Sequence, residues 1–460
     1  MDNHNINKKI TILGAGVSGK ALAFLAQRLG YRVLISDCKE LDAEMRREFE
    51  LSDIAWEDGG HTPLIYNAEM IVVGSGISPR TPELLEALTK GITVVGELDF
   101  VLPHLVGKII AITGSNGKTT TTSLIGHLLA STGARVAVAG NIGKPLAGIA
   151  FEKWDYIVLE LSSFQLHWTE NLSVDIALVT NIAPDHIDWH GSFEAYVSAK
   201  TKLISTVKPE GTAIFQESDR YRFVSLPRKT FGLTWEETLP MKKECLYLRE
   251  SKQCAEIRTD QGETVLFRFD ETSLLGKHNM ENAAMSLLTV SLCGYATNAD
   301  SMKDALHSFN APSHRCQLIA DEGGVRYIDD SKGTNVASTV AALSSLSGKK
   351  VIILGGKGKG EDYSPLVPVL KKEARWAILM GAEKGALAEA LSSRGFIHFT
   401  LVDGMDNAVK EANGRALEGD IILLSPACTS WDAYSNYKER GKHFQKTVVN
   451  LLFSLKKRGV

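Results

Sequence analysis

The sequence predicts an α/β protein of three domains: an N-terminal Rossmann-like domain, a central parallel sheet with a small antiparallel insertion, and a C-terminal Rossmann-like domain. Three observations carry this. Short β-branched runs alternate with helical patterns along the whole chain. Two glycine-rich turns, GAGVSG and TGSNGKTT, each stand between a strand and a helix. One stretch, Gly211–Thr272, changes texture to charged, alternating residues with Pro227 and Pro240, which reads as antiparallel strands or an insertion.

The strand runs are KITILGAG, RVLISD, EMIVVGSG, KIIAITGS, RVAVAGN, YIVLEL, IALVTNI, KVIILGGKG, RWAILMGA and DIILLSPA. Most are apolar nearly throughout, as strands covered on both faces should be. Ligands of such sheets gather at the carboxyl ends of the strands, so the residues after each run are the candidates. At roughly 100–200 residues per domain, 460 residues suggest two to four domains. The blocks fall at residues 1–96, 97–311 and 312–460. The C-terminal pattern Phe444, Val448, Leu451, Leu452, Leu455 has helical spacing and reads as core packing.

Composition narrows the classes. A formal net charge of -3 offers no electrostatic case for nucleic acid or an anionic membrane. The start MDNHNINKK lacks a signal peptide's apolar core, and no apolar run approaches the ~18 residues of a spanning helix. Cys38, Cys245, Cys254, Cys293, Cys316 and Cys428 form no CxxC pair. Reduced structural thiols in a cytoplasmic monomer are expected.

Gly14, Gly16 and Gly19 have GxGxxG spacing, and Asp37 ends the next strand. Alone, this arrangement argues for a dinucleotide such as NAD, with phosphate at the helix N-terminus and the acid on ribose. TGSNGKTT differs from the usual P-loop in having two residues between Gly114 and Gly117. Its backbone N–H groups can still wrap phosphates, with Lys118 reaching the terminal phosphates and Thr119 bonding magnesium. Glu160 and the group Asp185, His186, Asp188 follow apolar runs in the same block, and such groups can complete a magnesium site. In FEAYVSAKTKLI, Tyr196, Lys200, Leu203 and Ile204 share one helical face. A lysine in partly apolar surroundings is more readily neutral, and a neutral amine can take up carbon dioxide.

TGSNGKTT, GNIGKP, LELSSFQL, NIAPDHIDWH, GKHNMEN, HRCQ, YIDDSKGTN and SPACTSWD occur in this order over nearly the whole chain. The set resembles the Mur ligase superfamily. The GxGxxG start together with SPACTSWD is similar to its D-glutamate-adding branch. The resemblance implies an ATP-dependent, ADP-forming ligase of cell-wall precursor synthesis, with UDP-N-acetylmuramoyl-L-alanine and D-glutamate as partners. It implies ATP, two magnesium ions and a carbamate on Lys200 as cofactors. By resemblance, Ser115, Asn116, Gly117, Lys118, Thr119, Thr120, Asn279, Asn282, Arg315, Asp330 and Lys332 face ATP. Val17, Ser18, Asp37, Gly76, Asn141, Ser162 and Gln165 face the UDP substrate. Thr334, Lys359, Ser430 and Tyr437 face the amino acid, whose two carboxylates suit lysine and hydroxyls. Thr119, Glu160, His186 and carbamylated Lys200 hold the metals, and Lys118, His186 and Lys200 form the catalytic set.

Other readings stay open. Another amino-acid-adding Mur ligase also begins with a glycine-rich turn. A folylpolyglutamate synthase lacks that domain. An NAD oxidoreductase leaves TGSNGKTT unexplained. A nucleotide-gated regulator leaves Glu160, His186, Lys200 and Arg315 unexplained.

Overall fold

Ile10–Leu13, the apolar run before the first glycine turn, sits mid-sheet. The structure, a computed structural model, describes residues 8–235, 244–259, 262–274, 276–310 and 312–458. It divides into two compact units, one of Met1–Ile182, Trp189–Arg268 and Ala284–Ala305, the other of Ala183–Asp188, Phe269–Ala283 and Leu306–Val460.

The first unit holds two sheets. Its N-terminal sheet has five strands, in chain order Lys9–Leu13, Arg32–Ser36, Ala55–Glu57, Met70–Val73 and Thr93–Gly96. They lie side by side as 3-2-1-4-5, and every pairing is parallel. The helix Val17–Arg28 packs on it through Leu22, Ala23, Leu25 and Ala26, all buried. Each apolar side chain of leucine size removed from water contributes about 1.5–3 kcal/mol. A Cβ at Gly19 would lie 1.8 Å from the Gly14 carbonyl oxygen, so the third glycine of the motif is set by how closely helix meets strand.

The central sheet of the first unit has nine strands. Across the sheet they run Gly262–Arg268, Cys254–Thr259, Cys245–Arg249, Lys229–Trp235, Val207–Gln216, Val174–Val179, Val106–Thr113, Lys153–Glu160 and Val136–Gly140. Ile110, Ala111 and Ile112 are fully buried, as a strand covered on both faces requires. The stretch expected to be an antiparallel insertion divides. Val207–Gln216, Lys229–Trp235 and Cys245–Arg249 extend the sheet in parallel, and only the last two strands are antiparallel. The outermost strand is exposed along Gly262–Val265, and among the described residues no further strand pairs with its outer edge.

The second unit carries a six-stranded sheet in the order Gln317–Glu322, Val325–Asp329, Ile421–Leu424, Lys350–Gly355, Ala374–Met380, Phe399–Leu401. Only its first pairing is antiparallel. The C-terminal helix Tyr437–Arg458 buries Phe444 and Val448 against one face, as its spacing predicted. None of the six cysteines is in a disulfide, and among the described residues no helix is long and apolar enough to cross a membrane.

Candidate active site

In the first unit the glycine loop leaves the strand Val106–Thr113 and enters the helix Lys118–Ser131, whose N-cap is Gly117 with φ +83°. That left-handed turn is one glycine adopts without steric cost. Gly114 has φ +144°, and a Cβ there would lie 2.0 Å from Thr180 Oγ1. The loop therefore rests on the neighbouring strand's end. Ser115 N donates to Asn181 O at 2.8 Å, Asn116 N to Asn181 Oδ1 at 2.9 Å, and Asn181 Nδ2 to Asn116 O at 3.0 Å. Lys118 Nζ folds back onto the loop, donating to Gly114 O at 2.8 Å and Ser115 O at 3.0 Å.

The helix Phe193–Ser205 presents Tyr196, Lys200, Leu203 and Ile204 inward, all buried, on the face its spacing predicted. Lys200, 2% exposed, donates from Nζ to Gly114 O at 2.6 Å and lies 4.8 Å from the Tyr196 ring centre. Tyr196 OH meets Ser115 Oγ at 2.7 Å. Two lysines thus converge on one loop carbonyl. Glu160 ends the strand Lys153–Glu160, and its Oε1 accepts from Asn141 Nδ2 at 2.7 Å. Its Oε2 is buried and, among the described residues, meets no hydrogen-bond partner. Leaving such an atom unpaired costs on the order of 1–3 kcal/mol, so a cation is the natural complement. Ser162 and Gln165 form a capping box at the start of the helix Ser163–His167.

At the N-terminal sheet, Asp37 Oδ2 accepts from Ala15 N at 2.7 Å and Oδ1 from Lys39 N at 2.8 Å. The acid thereby braces the glycine turn. Among the described residues no side chain caps the helix Val17–Arg28, and an uncapped helix N-terminus favours an anion. Val17 is 76% exposed there, while Ser18 bonds the buried Glu97, whose carboxyl burial holds above its ordinary range. Gly76 lies on the loop after Met70–Val73, next to Ile77, whose carbonyl accepts from Trp168 Nε1 at 3.1 Å.

The second unit gathers the remaining candidates. Asp185 Oδ1 is 3.0 Å from Lys359 Nζ, its Oδ2 accepts from Asn335 Nδ2 at 3.2 Å, and His186 Nε2 lies 3.6 Å from Oδ2. His186 has φ +51°, a conformation a non-glycine residue adopts at a cost. Burial raises the Glu361 carboxyl, the bond from Val336 N opposes the rise, and nearby Asp185 adds to it. Arg315 stands between His314 (φ +66°) and Cys316 (φ +44°), so strain brackets it on both sides. His314 Nδ1 lies 2.7 Å from Asp329 Oδ2. Burial pushes Asp330 up to about 7, against a bond from Ser425 Oγ at 2.7 Å. Lys332 Nζ sits 3.9 Å over the Tyr437 ring. Thr334 N donates to Lys332 O at 2.8 Å just before the capping box of Asn335, and Ser430 is buried in the SPACTSWD loop. Asn279 and Asn282 are buried and joined by a 3.1 Å bond, Asn282 Nδ2 donating to Asn279 Oδ1.

Residues 112–290 match the Mur ligase middle domain, 314–428 the Mur ligase glutamate ligase domain, and 9–83 the MurD N-terminal domain. The chain is 35% identical over 447 residues to a UDP-N-acetylmuramoylalanine–D-glutamate ligase of Acidobacterium capsulatum, covering 96% of each. It is also 35% identical to the enzyme of that name from Bacteroides fragilis, covering 96% of this chain and 100% of the other. The chain belongs to the Mur ligase family. Two solved Mur ligases share the fold. One is UDP-N-acetylmuramate-alanine ligase MurC of Thermotoga maritima, with TM-score 0.59 and 18% identity over 96% of this chain and 99% of that one. The other is MurF of Acinetobacter baumannii, with TM-score 0.59 and 17% identity over 97% and 92%.

Mur ligases are ATP-dependent, magnesium-using enzymes, and the residues present fit such an ion. Glu160 offers a buried, unpaired oxygen beside a phosphate loop that carries Thr119. Among the described residues no three His, Cys, Asp or Glu side chains cluster to hold a metal by themselves. A hard cation that keeps water and takes phosphate oxygens needs no such cage. Several residues that contact these candidates were not singled out from the sequence. Thr180 and Asn181 seat the phosphate loop, Asn335 and Glu361 surround Asp185 and Lys359, and Asp329 orients His314. Thr180 and Asn181 carried a usable signal, as polar residues just past the end of the apolar strand Val174–Val179.

Proposed function

We propose that this Mur ligase joins D-glutamate to the alanine carboxyl of UDP-N-acetylmuramoyl-L-alanine at the expense of ATP. Full-length identity to relatives bearing that activity in their names is the observation that carries the choice of substrates. We assign residues 1–96 to the UDP substrate, 97–311 to ATP, and 312–460 to the amino acid, in a monomeric cytoplasmic enzyme.

The substrate's carboxylate attacks the γ-phosphorus of ATP, ADP leaves, and an acyl phosphate forms. The amine of D-glutamate attacks the acyl carbon, the tetrahedral intermediate expels inorganic phosphate, and the amine proton is lost. The first step brings anions together, so positioned cations are the main requirement. Lys118 supplies one at the helix N-terminus, an end whose dipole favours phosphate. Thr119 and Glu160 would hold one magnesium; His186 and a carbamylated Lys200 would hold a second, and the ions would offset the charge of the phosphates. Asp330, Arg315, Lys332, Asn279 and Asn282 would orient ATP. Thr334, Lys359, Ser430 and Tyr437 would receive the glutamate carboxylates, and Val17, Ser18, Asp37, Gly76, Asn141, Ser162 and Gln165 the UDP-muramoyl chain. The test is phosphate release from ATP with each substrate omitted in turn and with L-glutamate replacing D-glutamate. Release that needs neither the UDP-muramoyl substrate nor D-glutamate overturns the assignment.

A further inference from the structure

One buried cation takes no part in the contacts described so far. Arg440, 1% exposed and heading the largest fully buried side chains, lies in the helix Tyr437–Arg458. Its Nε donates to Ser331 Oγ at 3.0 Å, Nη2 to Ser331 O at 2.8 Å and Cys428 O at 3.1 Å, and Nη1 to Thr429 O at 3.1 Å. Every one of these acceptors is neutral, and among the described residues no carboxylate forms an ion pair with it. Burial accordingly pushes the guanidinium down to about 10, with Cys428 and Asp432 opposing that fall. A buried charge without an ion partner is expensive and is kept where its fixed fork of donors organises something else.

What it organises follows from the sheet. The strands Val325–Asp329, Ile421–Leu424 and Lys350–Gly355 are parallel neighbours, so their following loops open on one edge. Ser331 belongs to the first loop and Cys428 and Thr429 to the second. The third is pressed against both partners, since a Cβ at Gly356 would lie 2.1 Å from Thr429 O and 2.9 Å from Arg440 Nη1. Lys357 and Thr429 exchange two backbone hydrogen bonds of 2.9 Å. The loop of Lys357 continues to Lys359, and Thr429 is followed by Ser430.

We propose that Arg440 is a positioning residue for the amino-acid site: it locks the loop of Asp330, Lys332 and Thr334 to the loop of Ser430, and sets a positive charge behind the dianion they receive. The inference rests on the function proposed above. Lysine would keep the charge but lose the fork that bonds both loops at once.

The experiment is steady-state kinetics of the full-length enzyme with magnesium and ATP, comparing wild type with Arg440→Lys. The KM for D-glutamate should rise about tenfold or more, because misplacing binding groups by a fraction of an ångström is felt directly in affinity. The KM for the UDP-muramoyl substrate should stay unchanged. A purely structural role would lower the active fraction, and with it kcat and the melting temperature, while leaving the KM for D-glutamate in place. Should Arg440→Lys fail to fold, Ser331→Ala keeps the guanidinium and removes its Ser331 Oγ acceptor together with the bond that this hydroxyl donates to Tyr437 O, and its KM for D-glutamate should rise severalfold. An unchanged KM for D-glutamate in the folded variant overturns the proposal. Wild-type enzyme that turns over without D-glutamate overturns the functional reading instead, so the two failures are distinct.

Discussion

Lys200 Nζ and the Gly114 carbonyl oxygen lie 2.6 Å apart in the buried floor of the phosphate loop. An ammonium at this depth is costly unless it is paired or loses its charge, and a carbamate would turn the same side chain into an oxygen ligand. Lys200→Ala should abolish ligation, with partial recovery on adding acetate. Lys200→Arg should stay inactive, since it offers a cation and no oxygen. Full activity of Lys200→Arg in a coupled ADP assay would return Lys200 to a packing role.

Lys118 bonds two loop carbonyls and sits at the helix N-terminus. Lys118→Ala should lower the phosphoryl-transfer rate on the order of 10²-fold or more. Its unfolding free energy should change by no more than about 1 kcal/mol. Rapid-quench detection of acyl phosphate together with a urea melt measures both, and near-normal acyl phosphate formation would refute the role.

Gly114→Ala should be worse for stability than Lys118→Ala. The new methyl would meet Thr180 Oγ1, and φ at that position is +144°. A backbone position of this kind costs about 1–3 kcal/mol before the clash is counted. A thermal melt within one degree of wild type would show that the loop relaxes away from Thr180.

Titration should separate the two readings of the first glycine motif. Asp37 already accepts the Ala15 and Lys39 N–H groups, so its oxygens brace the turn. Calorimetry should show binding of UDP-N-acetylmuramoyl-L-alanine and none of NAD at the same concentrations. Tighter NAD binding would reverse the assignment of this domain.

His278 carries the sharpest pH prediction. Burial, helped by the charge of Arg315, lowers its imidazole to about 4. The folded value lies below the unfolded one of about 6.5, so the stabilisation is fully present above pH ~6.5 and is lost as pH falls towards ~4. The loss should reach about 3 kcal/mol, at roughly 1.4 kcal/mol per unit. Urea melts of wild type and His278→Gln between these pH values should converge as the solution is acidified. Parallel slopes would mean that His278 does not titrate in this window.

Local order in the chain settled the strand–turn–helix units, because apolar periodicity and glycine placement act over a few residues. The loop at Gly114–Lys118 and the inward face of Tyr196, Lys200, Leu203 and Ile204 were legible in this way. Only the fold could decide which distant ends meet. Asn181 reaches Asn116 across 65 positions, Lys359 reaches Asp185 across 174, and Arg440 reaches Ser331 across 109. These pairs depend on strand order in each sheet, which follows from long-range packing and leaves no periodic mark on the sequence. The same holds for the parallel extension of the central sheet, where charged, alternating strands look antiparallel until their neighbours are known. The unpaired oxygen of Glu160 is likewise a property of its buried surroundings, since a carboxylate's need for a cation appears only once water is gone.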